Sequence, residues 1–365
     1  MSVLLFLLVL FVLILVHEWG HFITAKKTGM RVDEFGIGFP PRLFRWRKGE
    51  TDYSLNLLPI GGFVKIFGEN GVDDLSALPE AERARAFGAR PKWAQALVLI
   101  AGVTMNMLLA WVLFTVTFMV GMPTEVDETT ATDNAMLMVV GTLPDSPASV
   151  LPYGSEITAV TSGDQSLTSL SHTELSTFVG EVAPAPLLVT YTYAGETNTV
   201  EITPAQGLTE EDPARYIIGA QTALVENVSL GPVAAVVEGA KRTYTSTIAI
   251  AIGLVTFLKQ AIVGTADYSQ VSGPIGIVGM VGDAAKIGLV TLLNFTAFIS
   301  LNLAVINLLP VPALDGGRLL FVAIEAITRK QIPPAWAGYL NLAGFVLLIA
   351  LMLAVTYSDI TKLIT

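Results

Sequence analysis

The residues best suited to chemistry lie near the N-terminus, in His17-Glu18-Trp19-Gly20-His21. This segment fits the pattern H-E-x-x-H. Positions four residues apart share one face of a helix, so both imidazoles can hold one Zn²⁺ ion. Glu18 then lies beside the metal, where a carboxylate can take a proton from an activated water. The pattern predicts His17 and His21 as metal ligands and Glu18 as the catalytic residue.

The surroundings of this motif argue against two ordinary core histidines. An unbroken apolar run, Val3–Val16, precedes it, and ionisable groups within a membrane span are costly and usually functional. At about 1.5 Å per residue, His17 lies roughly 20 Å along the helix from Val3, which is less than the hydrocarbon thickness of about 30 Å. We expect a site inside the membrane, nearer the face at which this helix ends.

A catalytic zinc needs a third protein ligand and an open position. The chain has no cysteine, and its remaining histidine, His172, belongs to a polar segment, so the third ligand must be a carboxylate. Asp315 is the one acidic residue in the apolar run LLPVPALDGGRLLFVAI, where prolines break the helix and two glycines let the backbone turn closely. Two alternatives stay open: Asp315 caps a helix, or Glu325 is the ligand.

Several amides and one small residue accompany these groups. Asn302 and Asn307 precede Asp315, and Gly102 and Asn106 lie in another apolar segment. Amides in membrane spans often join helices to each other. Beside a zinc site they could also bind the substrate backbone, and we give the two roles equal weight.

The composition of the whole chain is that of a membrane protein. Of its 365 residues 52% are hydrophobic and only 14% are charged, whereas soluble chains carry about 25% charged residues. The net charge of −10 argues against a nucleic-acid partner. The lack of cysteine excludes disulfide scaffolds, iron–sulfur clusters and thiol catalysis.

Four segments are long and apolar enough to cross a bilayer. They are about 3–25, 94–120, 289–309 and 336–355. The first has no basic residue before it and no small-residue cleavage site after it, so we expect a retained span. A shorter apolar stretch, 248–262, is expected to lie at the membrane interface, with a fifth span as the alternative.

Basic residues predict the orientation of the spans. Twelve of the 21 lysines and arginines fall between Lys26 and Lys92, so this loop should be cytoplasmic and the N-terminus outside. Strand-like alternation in residues 52–69 of the loop indicates a small sheet against the helices or a re-entrant hairpin. Residues 125–228 are polar, contain the strand-like runs 187–193 and 197–202, and should form one outer domain.

These patterns predict a polytopic α-helical membrane protein with a membrane-associated β-loop and one extracytoplasmic α+β domain. The expected division is 1–124 with the first two spans, 125–228 as the outer domain, 229–286 as an amphipathic or interfacial linker, and 287–365 with the last two spans.

The motifs together resemble the site-2 protease family, the membrane zinc metalloproteases of regulated intramembrane proteolysis. The matching segments follow the family's order and cover nearly the whole chain: HEWGH (17–21), GFVKIFGE (62–69), AGVTMN (101–106), SGPIGI (272–277) and NLLPVPALDGG (307–317). The bacterial branch that cleaves anti-sigma factors looks closest.

The resemblance implies Zn²⁺ held by His17, His21 and Asp315, with Glu18 catalytic. It implies that Asn307 contacts the substrate, and we add Asn302, on the same segment, as a candidate substrate-binding residue. It also implies substrate pairing along one strand, formed by Gly62, Phe63, Val64, Lys65 and Ile66. The outer domain would be PDZ-like, since SPASVLPYGSEITAV (146–160) looks like a PDZ core motif, and the space fits one such domain.

The expected substrates are single-span membrane proteins, such as anti-sigma factors or signal-peptide remnants, in the bacterial inner membrane. An upstream site-1 protease could act first. Three other functions remain open: a membrane zinc protease of another class with a distal glutamate ligand, a zinc transporter, and a non-catalytic PDZ scaffold that binds zinc.

Overall fold

A computed structural model describes residues 1–69, 78–129, 131–143, 145–209, 212–265 and 272–364. Parts of the predicted cytoplasmic loop (70–77) and of the predicted linker (266–271) lie outside the described residues. The chain forms two compact units. The first comprises Met1–Val116, Ala235–Asp283 and Leu293–Thr365, and the second comprises Thr117–Ala234 and Ala284–Leu292.

The described residues include helices of very different lengths. They are α1 (Ser2–Lys27), α2 (Glu80–Arg83), α3 (Lys92–Val120), α4 (His172–Val182), α5 (Pro232–Val263), α6 (Pro274–Ile287), α7 (Leu289–Asn307), α8 (Asp315–Thr328) and α9 (Pro334–Ile364). Short 3-10 helices cover Phe87–Ala89 and Pro147–Val150.

Within the described residues, four helices are long and apolar enough to cross a membrane: α1, α3, α7 and, over Ala335–Thr361, α9. Each of the four predicted spans is confirmed as such a helix, and the chain is a polytopic membrane protein.

The first unit contains a small antiparallel sheet of β1 (Val32–Lys48) and β2 (Thr51–Ile66). β2 folds back, so that residues 34–37 pair with 52–55 on one side and with 62–65 on the other. Glu50, in the turn, binds Lys26 at the end of α1 and Arg85. These partners lower the pKa of the Glu50 carboxyl, mainly through the hydrogen bond from Arg85.

Two apolar clusters hold the first unit together. One joins α1, the sheet, α3 and α8 around Phe22, Phe35 and Val98. The other joins α3 to α7 around Phe114 and Leu301. Because α1, α3, α7 and α8 share these cores, side chains from distant parts of the sequence are held against each other.

The helix α5 differs from the sequence prediction. The apolar stretch 248–262 is the second half of a helix that begins at Pro232, and α5 is not among the four span candidates. Thr243 and Thr247, which precede the apolar stretch, lie within this helix and donate to carbonyls one turn earlier, at 2.8 and 2.7 Å. The interfacial position of this stretch stays a prediction.

The second unit is built on an antiparallel sheet. Its strands are β3 (Met122–Glu125), β4 (Met136–Thr142), β5 (Glu156–Ser162), β6 (Gln165–Ser166), β7 (Leu187–Tyr193), β8 (Glu196–Ile202) and β9 (Ala220–Val228). The order is β3-β9-β4-β5-β7-β8, with β6 paired to β5. The strands expected at 187–193 and 197–202 are confirmed as β7 and β8, and α4 packs on the apolar core of this sheet.

Candidate metal centre

His17 and His21 lie one turn apart on α1 and are both buried, at 7% and 8% exposure. Their Nε2 atoms are 3.1 Å apart. The helical spacing alone brings the rings to one face, and burial removes them from water. Two lone-pair donors therefore meet inside the apolar part of a membrane-spanning helix.

Each histidine also contacts α3 through its other ring nitrogen. Nδ1 of His21 is 2.8 Å from the carbonyl oxygen of Val98, so Nδ1 carries the proton and donates. The neutral ring then presents a bare Nε2. Nδ1 of His17 lies 3.3 Å from the amide Nδ2 of Asn106, which is fully buried.

Gly102 makes this close approach possible. A Cβ atom at this position would overlap Nε2 of His21 and would lie 2.8 Å from Cε1 of His17. On α1, Gly20 has the matching role, because its Cβ would lie 2.8 Å from the carbonyl carbon of Ala101. Small residues at both positions let the two spans approach closely.

The break between α7 and α8 positions Asp315. α7 ends at Asn307 and α8 begins at Asp315 itself. Gly316 and Gly317 pack against backbone carbonyls of the connecting segment so tightly that a Cβ atom would overlap them. The segment is also held from α9, where Oδ1 of Asn341 accepts from the backbone N–H of Ala313 at 3.2 Å.

The three predicted ligands converge. Oδ2 of Asp315 lies 3.0 Å from Nε2 of His17 and 3.3 Å from Nε2 of His21, and the three side chains form a group able to hold a metal ion. Tetrahedral Zn²⁺ with bonds of about 2.0–2.1 Å separates its ligand atoms by about 3.3 Å. The donor set and its spacing therefore fit zinc.

Glu18 lies beside this cluster. Its ionisable neighbours are His21, His17, Asp315 and Glu69. A Cβ atom built on Gly62 would be 3.6 Å from Cγ of Glu18. The Glu18 side chain is thus placed between the metal-ligand cluster and the β2 segment predicted to pair with the substrate.

That segment, Gly62–Ile66, forms the last part of β2. It pairs with residues 32–37 of β1, and no strand pairing is recorded on its other edge within the described residues. Farther along the chain, Glu69 forms an ion pair with Arg318, one turn after Asp315 in α8. This pair connects the end of the β2 segment to the helix that carries Asp315.

The remaining candidates lie elsewhere. Asn302 is exposed on α7 and donates to the carbonyl of Phe298 at 2.9 Å. Asn307 is the last residue of α7 and is half-buried. His172, in the second unit, is exposed and lies 3.1 Å from the hydroxyl of Thr222. The substrate roles of the two asparagines stay predictions.

Glu325, the alternative ligand, lies away from the three-residue cluster. It is not in the cluster: its Oε2 is 2.5 Å from Nζ of Lys92, and its Oε1 accepts from the backbone N–H of Ile332 at 2.8 Å. Ten residues of helix separate it from Asp315 by about 15 Å, so the two carboxylates cannot share one small site.

Sequence reasoning missed two supports of the cluster. The Val98 carbonyl has no side-chain signature, and Asn341 lies 26 residues beyond Asp315 in an apolar span. Gly102 and Asn106 are candidates from the sequence, but their contact with the histidine rings follows only from the packing of α1 on α3.

Comparison with known proteins shows similarity to zinc metalloproteases. The sequence profile described as peptidase family M50 matches residues 5–351. A putative zinc metalloprotease of Clostridium perfringens is 35% identical over 351 residues, which cover 95% of each chain. The regulator of sigma-W protease RasP of Bacillus subtilis and the zinc metalloprotease RasP of Oceanobacillus iheyensis are each 29% identical over 99% of both chains. The chain therefore belongs to peptidase family M50, the site-2 protease family, and is a membrane zinc metalloprotease.

Proposed function

We propose that this metalloprotease hydrolyses peptide bonds in or near the transmembrane segments of single-span membrane proteins, with Zn²⁺ held by His17, His21 and Asp315. The observation that supports this most is that the three donor atoms lie 3.0–3.3 Å apart. Two of them belong to α1, a helix apolar enough to span a membrane. Glu18 beside this cluster supplies the group that a hydrolase needs for proton transfer.

Bound Zn²⁺ supplies Lewis acidity that polarises a peptide carbonyl and makes water more acidic. Glu18 takes a proton from the attacking water and delivers it to the leaving amine, as general base and then general acid. His21 is held by the Val98 carbonyl, so its ring keeps one orientation. Burial of the cluster excludes bulk water and strengthens each of these electrostatic interactions.

The substrate must be extended before it can react, because a helix engages and shields its peptide carbonyls. We infer that Gly62–Ile66 holds the unwound segment by adding it as a strand to the open edge of β2. The closeness of Gly62 to Glu18 supports this, since a peptide on this strand would pass the proton-transfer group. Asn302 and Asn307 are proposed as further contacts to the substrate.

The substrate class rests on the resemblance and on one relative's name. The Bacillus subtilis relative is named a regulator of sigma-W protease, which favours anti-sigma-factor-like substrates, with signal-peptide remnants as a second class. We place the chain in a bacterial inner membrane, with the basic segment 26–92 and the nearer opening of the site on the cytoplasmic side. A site-1 protease acting first would supply the shortened substrate.

The decisive experiment is cleavage in a defined membrane. The protein and a labelled single-span substrate are reconstituted together in lipid vesicles, and the product is followed on gels and by mass spectrometry. Cleavage should stop when a chelator removes zinc and should return when zinc is added back. Product formation that is independent of bound zinc would overturn the proposal. Full zinc occupancy without any cleavage would favour the non-catalytic scaffold.

We further propose that the predicted outer domain, residues 125–228, is a single PDZ-like module that admits or excludes substrates. Its support is the antiparallel sheet with one packed helix, α4, and the PDZ-like segment 146–160.

Removal of residues 125–228 should therefore widen the range of substrates. The reason is steric: a substrate with a bulky folded outer domain would no longer be kept from the site. The measurement compares cleavage of two substrates that share one span, one with a short outer tail and one with a folded outer domain. The same deletion with Glu18→Gln serves as the control and should cleave neither. Unchanged selectivity in the deletion variant would refute a gating role.

A further inference from the structure

Asn106 presents an unsatisfied group at the metal-ligand cluster. Its side chain is fully buried in α3, and its Oδ1 has no hydrogen-bond partner within the described residues. The other end of the same amide, Nδ2, lies 3.3 Å from Nδ1 of His17. A buried carbonyl oxygen without a partner is destabilising, so Oδ1 of Asn106 still has a hydrogen bond to accept.

The second histidine shows what such a partner does. Nδ1 of His21 donates to the Val98 carbonyl, which leaves its Nε2 bare and turned toward Asp315. Val98, Gly102 and Asn106 follow each other at four-residue intervals, so they lie on one face of α3. On this face, the Val98 carbonyl accepts from His21, Gly102 leaves room for both rings, and the Asn106 amide contacts His17.

A ligating histidine needs a proton on the nitrogen that faces away from the metal. If Nε2 of His17 donates its lone pair to Zn²⁺, then Nδ1 carries the ring proton and requires an acceptor. A half-turn of the Asn106 amide about its Cβ–Cγ bond exchanges Oδ1 and Nδ2 with little change of shape. That rotation lets Oδ1 accept from Nδ1–H of His17 and turns Nδ2 to the position that Oδ1 leaves.

We propose that Asn106 is a positioning residue that accepts the Nδ1 hydrogen bond of His17 and so fixes this ring as an Nε2 ligand of zinc. The inference rests on the proposed function in one respect, the assignment of His17 as a ligand. It adds a role for the second span: α3 orients both histidines of α1, one through a backbone carbonyl and one through a side-chain amide.

The first test measures the zinc dissociation constant of the purified full chain by competition with a chromophoric chelator. Asn106→Leu, which fills the same space without an acceptor, should bind zinc about 10–100-fold more weakly. Asn106→Asp keeps an acceptor oxygen and should stay close to wild type. Asn294→Leu is the matched control, because Asn294 is another amide with a buried, unpartnered Oδ1, on α7, and it should not change zinc affinity.

A second measurement needs no variant that alters the core. The chain has three histidines, so ¹⁵N-labelled histidine gives a simple NMR spectrum of the zinc-loaded protein. His17 should show a protonated, slowly exchanging Nδ1 and a metal-bound Nε2. Zinc bound through Nδ1 of His17, or an Asn106→Leu protein with wild-type zinc affinity, would overturn the inference.

A further variant separates failure of this inference from failure of the proposed function. His17→Ala should lose most of its zinc affinity. If it does not, the ligand assignment itself fails. If His17→Ala loses zinc while Asn106→Leu keeps wild-type affinity, the ligand assignment stands and only the role of Asn106 is wrong.

Discussion

Replacing Glu18 with glutamine should leave zinc binding intact and slow peptide-bond cleavage by about 10²–10⁴-fold. Glutamine has nearly the same shape as glutamate but cannot accept and return a proton at neutral pH. Glu18 lies beside the three-ligand cluster and is not part of it, so the metal should be retained. The measurement is single-turnover cleavage in vesicles, together with the zinc content of the same sample.

A matched control is Glu238→Gln on α5, which removes only a surface ion pair with Lys241. Surface pairs of this kind contribute about 0–1 kcal/mol, so this variant should cleave at the wild-type rate. Wild-type cleavage by Glu18→Gln would refute the proton-transfer assignment. Loss of zinc from Glu18→Gln would instead show that Glu18 contributes to metal binding.

Replacing Asp315 with alanine should weaken zinc binding more than the 10–100-fold typical of a residue that only supports a ligand. Asp315 supplies the single carboxylate oxygen of the cluster in the described part of the chain. Without it, two imidazoles remain, and a stable zinc site generally has at least three protein ligands. The zinc content of the protein after dialysis against a chelator measures the effect, and cleavage should be lost with the metal.

Glu325→Ala is the comparison that separates this account from a protease with a distal glutamate ligand. Its carboxylate binds Lys92 and the backbone N–H of Ile332, so zinc should be retained even if α8 is less stable. Loss of zinc from Glu325→Ala together with its retention in Asp315→Ala would reverse the assignment.

The helical parts of the site could be predicted because their signals are local. The four-residue spacing of His17 and His21 places both on one face of any helix, and the long apolar runs predict the four spans. Asp315 could be singled out because a charge within an apolar, proline-broken segment is costly unless it has a partner. Its approach to both histidines across almost three hundred residues depends on how α1, α3 and α8 pack.

Other features depended on tertiary contacts and escaped prediction. Any residue can supply a backbone acceptor such as the Val98 carbonyl, so the sequence does not mark it. Asn341 belongs to a different span, α9, and its bond to Ala313 depends on how that span packs. Residues 39–48 of β1 are exposed and contain two prolines, so their sequence gave little strand signal, yet their pairing with β2 extends the sheet.

The most direct test of the central claim is X-ray absorption at the zinc edge of the purified protein, compared with Asp315→Ala. The wild-type spectrum should show two imidazole ligands and oxygen ligation at about 2.0–2.2 Å, and the variant should lose either the zinc or one oxygen ligand. A wild-type spectrum with fewer than two imidazoles, or an unchanged spectrum for Asp315→Ala at full zinc occupancy, would contradict a site built from His17, His21 and Asp315.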